Sequence, residues 1–289
     1  MTARAKLFAL TALSIVGCAK EPGNTGPAPA GPPSLSINQD TPKPAGTGPK
    51  APTEVDYNIR FDDAVTTEVL EGYHLPPDVT FAGKKTGLLR LDVEKTWPTI
   101  VLVGADKRPL SPRVDVETSE GMFTITLNPL LSPTHARNFL ALAKVGFYDG
   151  LRFERNVHQE ADFDGGRSRL DLLIGGCPTG TGDDGYGHLG YFLPAELRDD
   201  MKHEEGTVGF WHEENPDSAG TRFYITLGPA PALDGKFTVI GKVTSGLDVV
   251  RQIGKQPVRS TDPASLESEK PVVPAGIRKM TVSASGMEK

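Results

Sequence analysis

The stretch Arg113-Val114-Asp115-Val116-Glu117-Thr118-Ser119-Glu120-Gly121-Met122-Phe123-Thr124-Ile125-Thr126-Leu127 alternates apolar and polar residues on both sides of Glu120-Gly121. Side chains of a strand point to opposite faces in turn, so Val114, Val116 and Thr118 share one face, as do Phe123, Ile125 and Leu127. The stretch predicts two antiparallel strands joined by a turn. Immediately after it, Ser132-Pro133-Thr134 supplies an N-cap residue with proline at the first helical position. Ala136, Phe139, Leu140 and Ala143 then recur at helical spacing, and Gly146 ends the helix. Working outward, β-rich segments lie at 151–155, 170–174, 206–211, 222–227, 237–243 and 279–284, with one more helix near 247–253. Short strands in this number, punctuated by turn residues and two helices, predict a mainly β fold, a closed eight-stranded antiparallel barrel capped by two helices.

On the N-terminal side of the hairpin, Leu89, Val93 and Trp97 stand at helical spacing and are followed by Thr99-Ile100-Val101-Leu102-Val103, a β-rich run closed by Gly104. A helix and then a strand are predicted. Residues 56–111 are too few for a core of their own and are expected to pack, as an N-terminal extension, on the domain formed by 112–289. Pro76-Pro77 favours an extended crossing segment. Residues 19–55 are rich in Pro, Gly, Ala, Ser and Thr and poor in large apolar residues, so they cannot offset their ordering entropy and read as a disordered tether. Residues 1–18 carry basic residues, then the apolar run from Leu7 to Gly17, then Cys18. That run is too short to cross a bilayer and has the form of an export signal.

The chain has 289 residues, 37% hydrophobic and 24% charged, with a net charge of -6. This composition is that of a globular protein, and the negative charge without basic blocks argues against a nucleic-acid surface. The cysteines are Cys18 and Cys177, which excludes a disulfide framework and a thiolate-rich metal site. The histidines His74, His135, His158, His188, His203 and His212 have no ligand-like spacing, so no metal is expected. Asp183-Asp184 reads as a solvated acidic turn, and Gly180-x-Gly182 lacks the ending of a phosphate loop.

Several blocks, in order, carry a resemblance: Gly146-Phe147-Tyr148-Asp149-Gly150-Leu151-Arg152-Phe153-Glu154-Arg155, Ile174-Gly175-Gly176-Cys177-Pro178, Gly206-Thr207-Val208, Asn215-Pro216-Asp217-Ser218-Ala219-Gly220-Thr221-Arg222-Phe223-Tyr224-Ile225, and Leu233-Asp234-Gly235-Lys236-Phe237. From Val114 to Val282 the chain resembles the cyclophilins, peptidyl-prolyl cis-trans isomerases. The resemblance implies a cyclophilin-like barrel, proline-containing polypeptides as partners, and no cofactor. It places the catalytic arginine on Arg155 and substrate-binding positions on Leu172, Ile174, Phe210, Trp211, His212, Arg222, Tyr224, Leu233 and Phe237, while Phe223 points the other way into the barrel. Ile15-Val16-Gly17-Cys18 resembles the lipobox of bacterial lipoproteins, which implies a lipidated Cys18 and an exported, membrane-anchored protein facing the periplasm or cell envelope. A monomer is expected.

The chain also departs from the family's pattern. Ile174 stands where an arginine-orienting glutamine is usual, and Arg222 where a second glutamine is usual. Glu154 replaces a histidine and is expected to pair with Arg155. A phenylalanine pocket position falls near Asp171, after about eleven extra residues, roughly 158–168. These changes leave two functions open: a slow or selective prolyl isomerase, and a noncatalytic peptide-binding or chaperone-like domain using the same groove.

Overall fold

The computed structural model describes residues 56–163, 166–260, 262, 265 and 267–283. The leader with Cys18 and the tether over 19–55 lie outside the described residues. Eight strands, all antiparallel to their neighbours, make one sheet among the described residues: β1 (Arg113–Thr118), β2 (Met122–Leu127), β3 (Phe153–Phe163), β4 (Gly166–Gly175), β5 (Thr207–Phe210), β6 (Phe223–Thr226), β7 (Val239–Ser245) and β8 (Ile277–Ser283). Their order is β3-β4-β6-β5-β7-β2-β1-β8. The helices are α1 (Phe61–Ala64), α2 (Thr86–Thr96), α3 (Pro133–Lys144) and α4 (Leu247–Gly254). None of the described helices is long and apolar enough to cross a membrane.

The hairpin forms as its alternation predicts, with Val114 paired to Ile125 and Val116 to Phe123. These residues are completely or almost completely buried, and with Phe139 and Leu140 of α3 and Val250 and Ile253 of α4 they build one core. Pro133 opens α3 as expected. Ser132, however, does not cap the helix: its hydroxyl donates to the Val239 carbonyl at 2.7 Å. The Glu196 carboxylate accepts from the amides of Thr134 and His135 instead, at 3.1 and 2.9 Å. A negative group at a helix N-terminus fills the capping role electrostatically as well.

Two expectations need correction. The sheet is not a closed barrel but a curled half-barrel. Its end strands β3 and β8 share no ladder and meet through the single bridge Arg152↔Gly276 and a few neighbouring bonds. Past that point β3 turns to the incoming chain, where the Asn156 amide donates to the Glu269 carbonyl at 2.7 Å. Thr99–Val103 is likewise no strand. Residues Trp97–Thr99 form a 3-10 turn, and Val103 makes only an isolated bridge with Pro109. Of the run's carbonyls, that of Ile100 accepts from a side chain, Arg137 Nη1 at 2.7 Å, and that of Leu102 from the Leu110 amide at 2.9 Å; Arg137 also donates to Trp97 O at 2.8 Å and to Tyr57 O.

Residues on the N-terminal side of β1 share the main core. Phe61, Leu89, Val93, Trp97 and Leu102 are buried together with barrel residues. The Phe61 ring meets Trp97 and Tyr191 edge to face, with centroids 5.3 and 5.1 Å apart. The residues read as extra to the family's pattern, roughly 158–168, continue β3 and β4. Their pairing runs on to Phe163↔Gly166, a hairpin that prolongs two strands of the sheet.

Candidate functional site

The register of three strands assembles the site. Arg155 on β3 pairs with Ile174 on β4, Ile174 with Tyr224 on β6, and Tyr224 with Gly209 on β5. Paired residues of a ladder lie on the same face, so Arg155, Ile174 and Tyr224 form one row. The next row, Asn156, Leu173, Ile225 and Val208, faces the interior, and Leu173, Ile225 and Val208 belong to the main core. Phe223 turns inward with them, as expected, and packs on Phe139, Tyr148 and Phe153.

Around the outer row a second apolar cluster forms. It holds Leu172, Ile174, Trp211, Tyr224, Leu233 and Phe237, together with Val157 and Leu170 from the prolonged hairpin. Six of the nine substrate-binding positions are thus brought together. Phe210 is not among them: it faces inward against Phe139 and His135, so its expected place in the pocket is corrected. His212 lies flat on Phe237, centroids 4.1 Å apart, with both ring nitrogens facing the carbonyls of Glu213 and Lys236. The cluster is filled by its own side chains. Leu172, Ile174, Tyr224 and Leu233 are fully buried, and the small solvent-facing fraction belongs to Trp211 and Phe237, 5% and 6% exposed. The hydroxyl of Tyr224 is bonded to His203 Nε2 at 2.8 Å, and His203 Nδ1 to Asp234 at 2.9 Å. Gly209 leaves the space for it, since a β-carbon there would collide with the Tyr224 hydroxyl.

Beside this cluster lies a chain of alternating charges. The β3–β4 register shifts between Phe153 and Arg155, so Glu154 is the extra residue of a bulge. Its carboxylate does not pair with Arg155, as the sequence suggested. It runs inward, where Oε1 accepts from the Cys177 amide and from Arg222 Nε, each at 3.2 Å. Arg222, a presumed substrate contact by position, is only 1% exposed and serves as the buried partner of Glu154. Its Nη1 stands 3.9 Å from Glu213 and 4.0 Å from Asp184. Burial raises the Glu154 pKa even against the attraction of Arg222.

Arg155 is held from both sides. Its Nε donates to the Gly182 carbonyl at 2.8 Å and its Nη2 to Asp184 Oδ1 at 2.9 Å, while Nη1 faces Glu269 Oε2 at 3.6 Å. Burial pushes the Glu269 carboxyl up to about 7, with Arg155 opposing the shift. Asp171 is turned away to His158 and Arg169, bonded to each by its carboxylate, so it contributes no apolar wall. The Asp183-Asp184 turn, expected to be solvated, is engaged in ion pairs: Asp183 binds Lys270 at 2.9 Å and Asp184 binds Arg155. Asp184, Glu213 and Glu269 are functional candidates that the sequence reading missed. The glycines around Asp184 were a signal for the first; nothing local marks the other two. Among the described residues no group of three or more His, Cys, Asp or Glu is placed to hold a metal ion.

Comparison with known proteins places this geometry in context. A family model described as cyclophilin type peptidyl-prolyl cis-trans isomerase/CLD matches residues 113–282. The chain is 36% identical over 151 residues to the peptidyl-prolyl cis-trans isomerase CYP18-2 of Arabidopsis thaliana, covering 52% of this chain and 85% of that one. It is 34% identical over 151 residues to the human peptidyl-prolyl cis-trans isomerase-like 1, covering 52% and 84%. A crystal structure of a Cryptosporidium parvum cyclophilin type isomerase, solved in the presence of the dipeptide Ala-Pro, aligns with TM-score 0.49 and 24% identity, covering 60% of this chain and 99% of that chain.

Proposed function

Because the chain belongs to the cyclophilin-type peptidyl-prolyl cis-trans isomerase family and is an isomerase by that membership, we propose that it turns X-Pro bonds of exported polypeptides, with Arg155 as the catalytic residue. The observation that carries this reading is the row Arg155–Ile174–Tyr224 across β3, β4 and β6, which sets a guanidinium at the edge of an apolar cluster. Rotation about an X-Pro bond is slow because resonance stiffens the amide, and it takes tens to hundreds of seconds unaided. The reaction breaks no bond, so it needs neither a nucleophile nor a metal. A group that binds the twisted amide better than the planar one is enough. A guanidinium donates to the prolyl nitrogen as its lone pair leaves conjugation, and it stays charged at every working pH.

The prolyl ring is to sit against Leu172, Tyr224 and Leu233. Trp211 and Phe237, with His212 stacked on the latter, cover those side chains. Binding therefore requires the aromatic pair to swing aside, and this step makes the enzyme slow. The same covered cluster favours the second reading, a domain that binds peptides without turning them. Export and anchoring rest on the sequence of residues 1–18 and on the composition of 19–55. A lipid on Cys18 would hold the folded part at a membrane, beyond a tether of about 37 residues.

The test is an NMR exchange or protease-coupled assay on a panel of X-Pro peptides. Arg155→Ala should lower the rate about tenfold to a thousandfold, the effect of losing one preorganised donor. If the parent turns no peptide, the binding-domain reading replaces the enzyme. Cys18→Ser should move the protein from the membrane to the soluble exported fraction, and identical detergent partitioning of variant and parent would refute the anchor.

A further inference from the structure

A guanidinium acts on a ligand at a fixed point only if its plane is fixed. Ile174, the residue paired with Arg155 across the ladder, has no acceptor to offer. The contacts that set the plane come from a different segment. The loop between β4 and β5 supplies the Gly182 carbonyl to Nε and the Asp184 carboxylate to Nη2, both at good hydrogen-bond distance. Two bonds from one loop to two nitrogens define both the position and the tilt of the plane. Nη1 stands 3.6 Å from Glu269 Oε2, within ion-pair range but too far for a hydrogen bond, so the loop supplies the hydrogen bonds that fix the plane.

The loop itself is pinned. Gly182 has φ +70°, and a β-carbon there would lie 2.7 Å from Glu154 Cγ and 3.2 Å from Arg155 Cγ, so the backbone presses directly on β3. One residue past Asp184, the Gly185 amide donates to both oxygens of Glu213, at 2.8 and 3.0 Å. Just before it, Asp183 is tied to Lys270 at 2.9 Å. The Asp184 oxygen that accepts from Arg155 also faces Arg222 Nη1 at 4.0 Å, so it sits between two guanidinium groups.

We propose that Asp184 is the positioning residue for Arg155, doing from the β4–β5 loop what an acceptor at position 174 would otherwise do from the neighbouring strand. The inference rests on Arg155 acting on the prolyl bond. Asp184 touches no substrate in this scheme; it acts through the arginine.

The experiment measures kcat and KM for one X-Pro peptide with five proteins: the parent, Arg155→Ala, Asp184→Ala, Asp184→Asn, and Asp184→Ala combined with Ile174→Gln. A displacement of about 1 Å costs roughly a hundredfold, so Asp184→Ala should lower kcat about tenfold to a hundredfold with KM within about twofold. Asp184→Asn keeps an oxygen for Nη2 and should retain most of kcat. Ile174→Gln should restore part of the loss by supplying an acceptor from the paired strand, which a merely structural role would not allow. Asp184→Ser serves as a second truncation should Asp184→Ala fold poorly. If Arg155→Ala is slow while the folded truncation of Asp184, to Ala or to Ser, matches the parent, the positioning role is overturned and the Arg155 reading stands. If Arg155→Ala matches the parent, the Arg155 reading fails and the positioning role falls with it.

Discussion

Replacing Glu154 by Gln tests the buried charge pair that the bulge in β3 creates. The parent places Arg222 and Glu154 in contact at 3.2 Å, each side chain 1% exposed. Glutamine keeps the shape and one oxygen for the Cys177 amide, so the change removes charge with little change in volume. Breaking a buried pair by neutralising one partner costs about 3–5 kcal/mol, because the other charge stays out of water. Here Glu213 and Asp184 remain 3.9 and 4.0 Å from Arg222 and carry part of the compensation. Burial also holds the Glu154 carboxyl above its ordinary pKa, so the folded state gives up this charge more readily than an unperturbed carboxylate would, and the expected loss falls below that range, about 1–2 kcal/mol. At roughly 2–4 °C per kcal/mol for domains of 150–250 residues, the melting temperature should fall by about 2–8 °C. Urea unfolding should show a lower midpoint with the slope unchanged. Adding Arg222→Met removes the stranded cation, and the double variant should return to within about 0.5 kcal/mol of the parent. Arg222→Met alone should be milder at pH 6 than at pH 8, since the buried Glu154 can then take up a proton. A single Glu154→Gln cost under about 0.5 kcal/mol, or a double variant no more stable than that single, would show that Arg222 is not stranded and would refute the reasoning.

Two further outcomes follow from burial. The Glu269 pKa is about 7 in the folded chain against 4.5 for an ordinary glutamate, so between those values the native state holds a proton that the unfolded state has released. Stability from this group is fully present below about 4.5 and is lost as pH rises through about 7, so calorimetry should show the melting temperature falling from pH 5.5 to 8 and Glu269→Gln reducing that slope; a rise over the same range would contradict the assignment. Cys177 is fully buried, which pushes its thiol pKa up and keeps the thiolate scarce, so a thiol reagent should label it only after denaturation; rapid labelling of the native protein would overturn that picture.

The parts of the fold legible in the sequence are those governed by local periodicity. The β1–β2 hairpin, α3 and the inward turn of Phe223 follow from alternation and helical spacing, and each depends on neighbours close in the chain. Collinear blocks gave the candidate site as a list of positions, six of which the fold gathers into one apolar cluster. What escaped was set by tertiary partners. Thr99–Val103 has strand composition, yet Arg137 takes the Ile100 carbonyl and the chain folds back on itself from Leu102 to Leu110 instead of joining the sheet. A bulge adds one residue without disturbing the pattern of types, so Glu154 looked like a neighbour of Arg155 when it in fact runs inward to Arg222. Glu269 reaches Arg155 from the far side of α4, which no spacing rule connects. The prolonged β3–β4 hairpin did leave a trace, since Asp164-Gly165 is a turn-prone pair that the reading of an insertion passed over.

The wedge of Phe61, Val93 and Trp97 in the main core bears on how this chain could be shortened or recombined. A protein cut back to the stretch its relatives share would begin near residue 113 and would bare Tyr191 where Phe61 now covers it. It would also strip Arg137 of the backbone oxygens of Tyr57, Trp97 and Ile100 to which its guanidinium donates. Sequence similarity draws its border at a place where the packing has none. Residues 57–102 and the half-barrel share one core and should melt in a single transition, a cooperative unit larger than the stretch the family model matches.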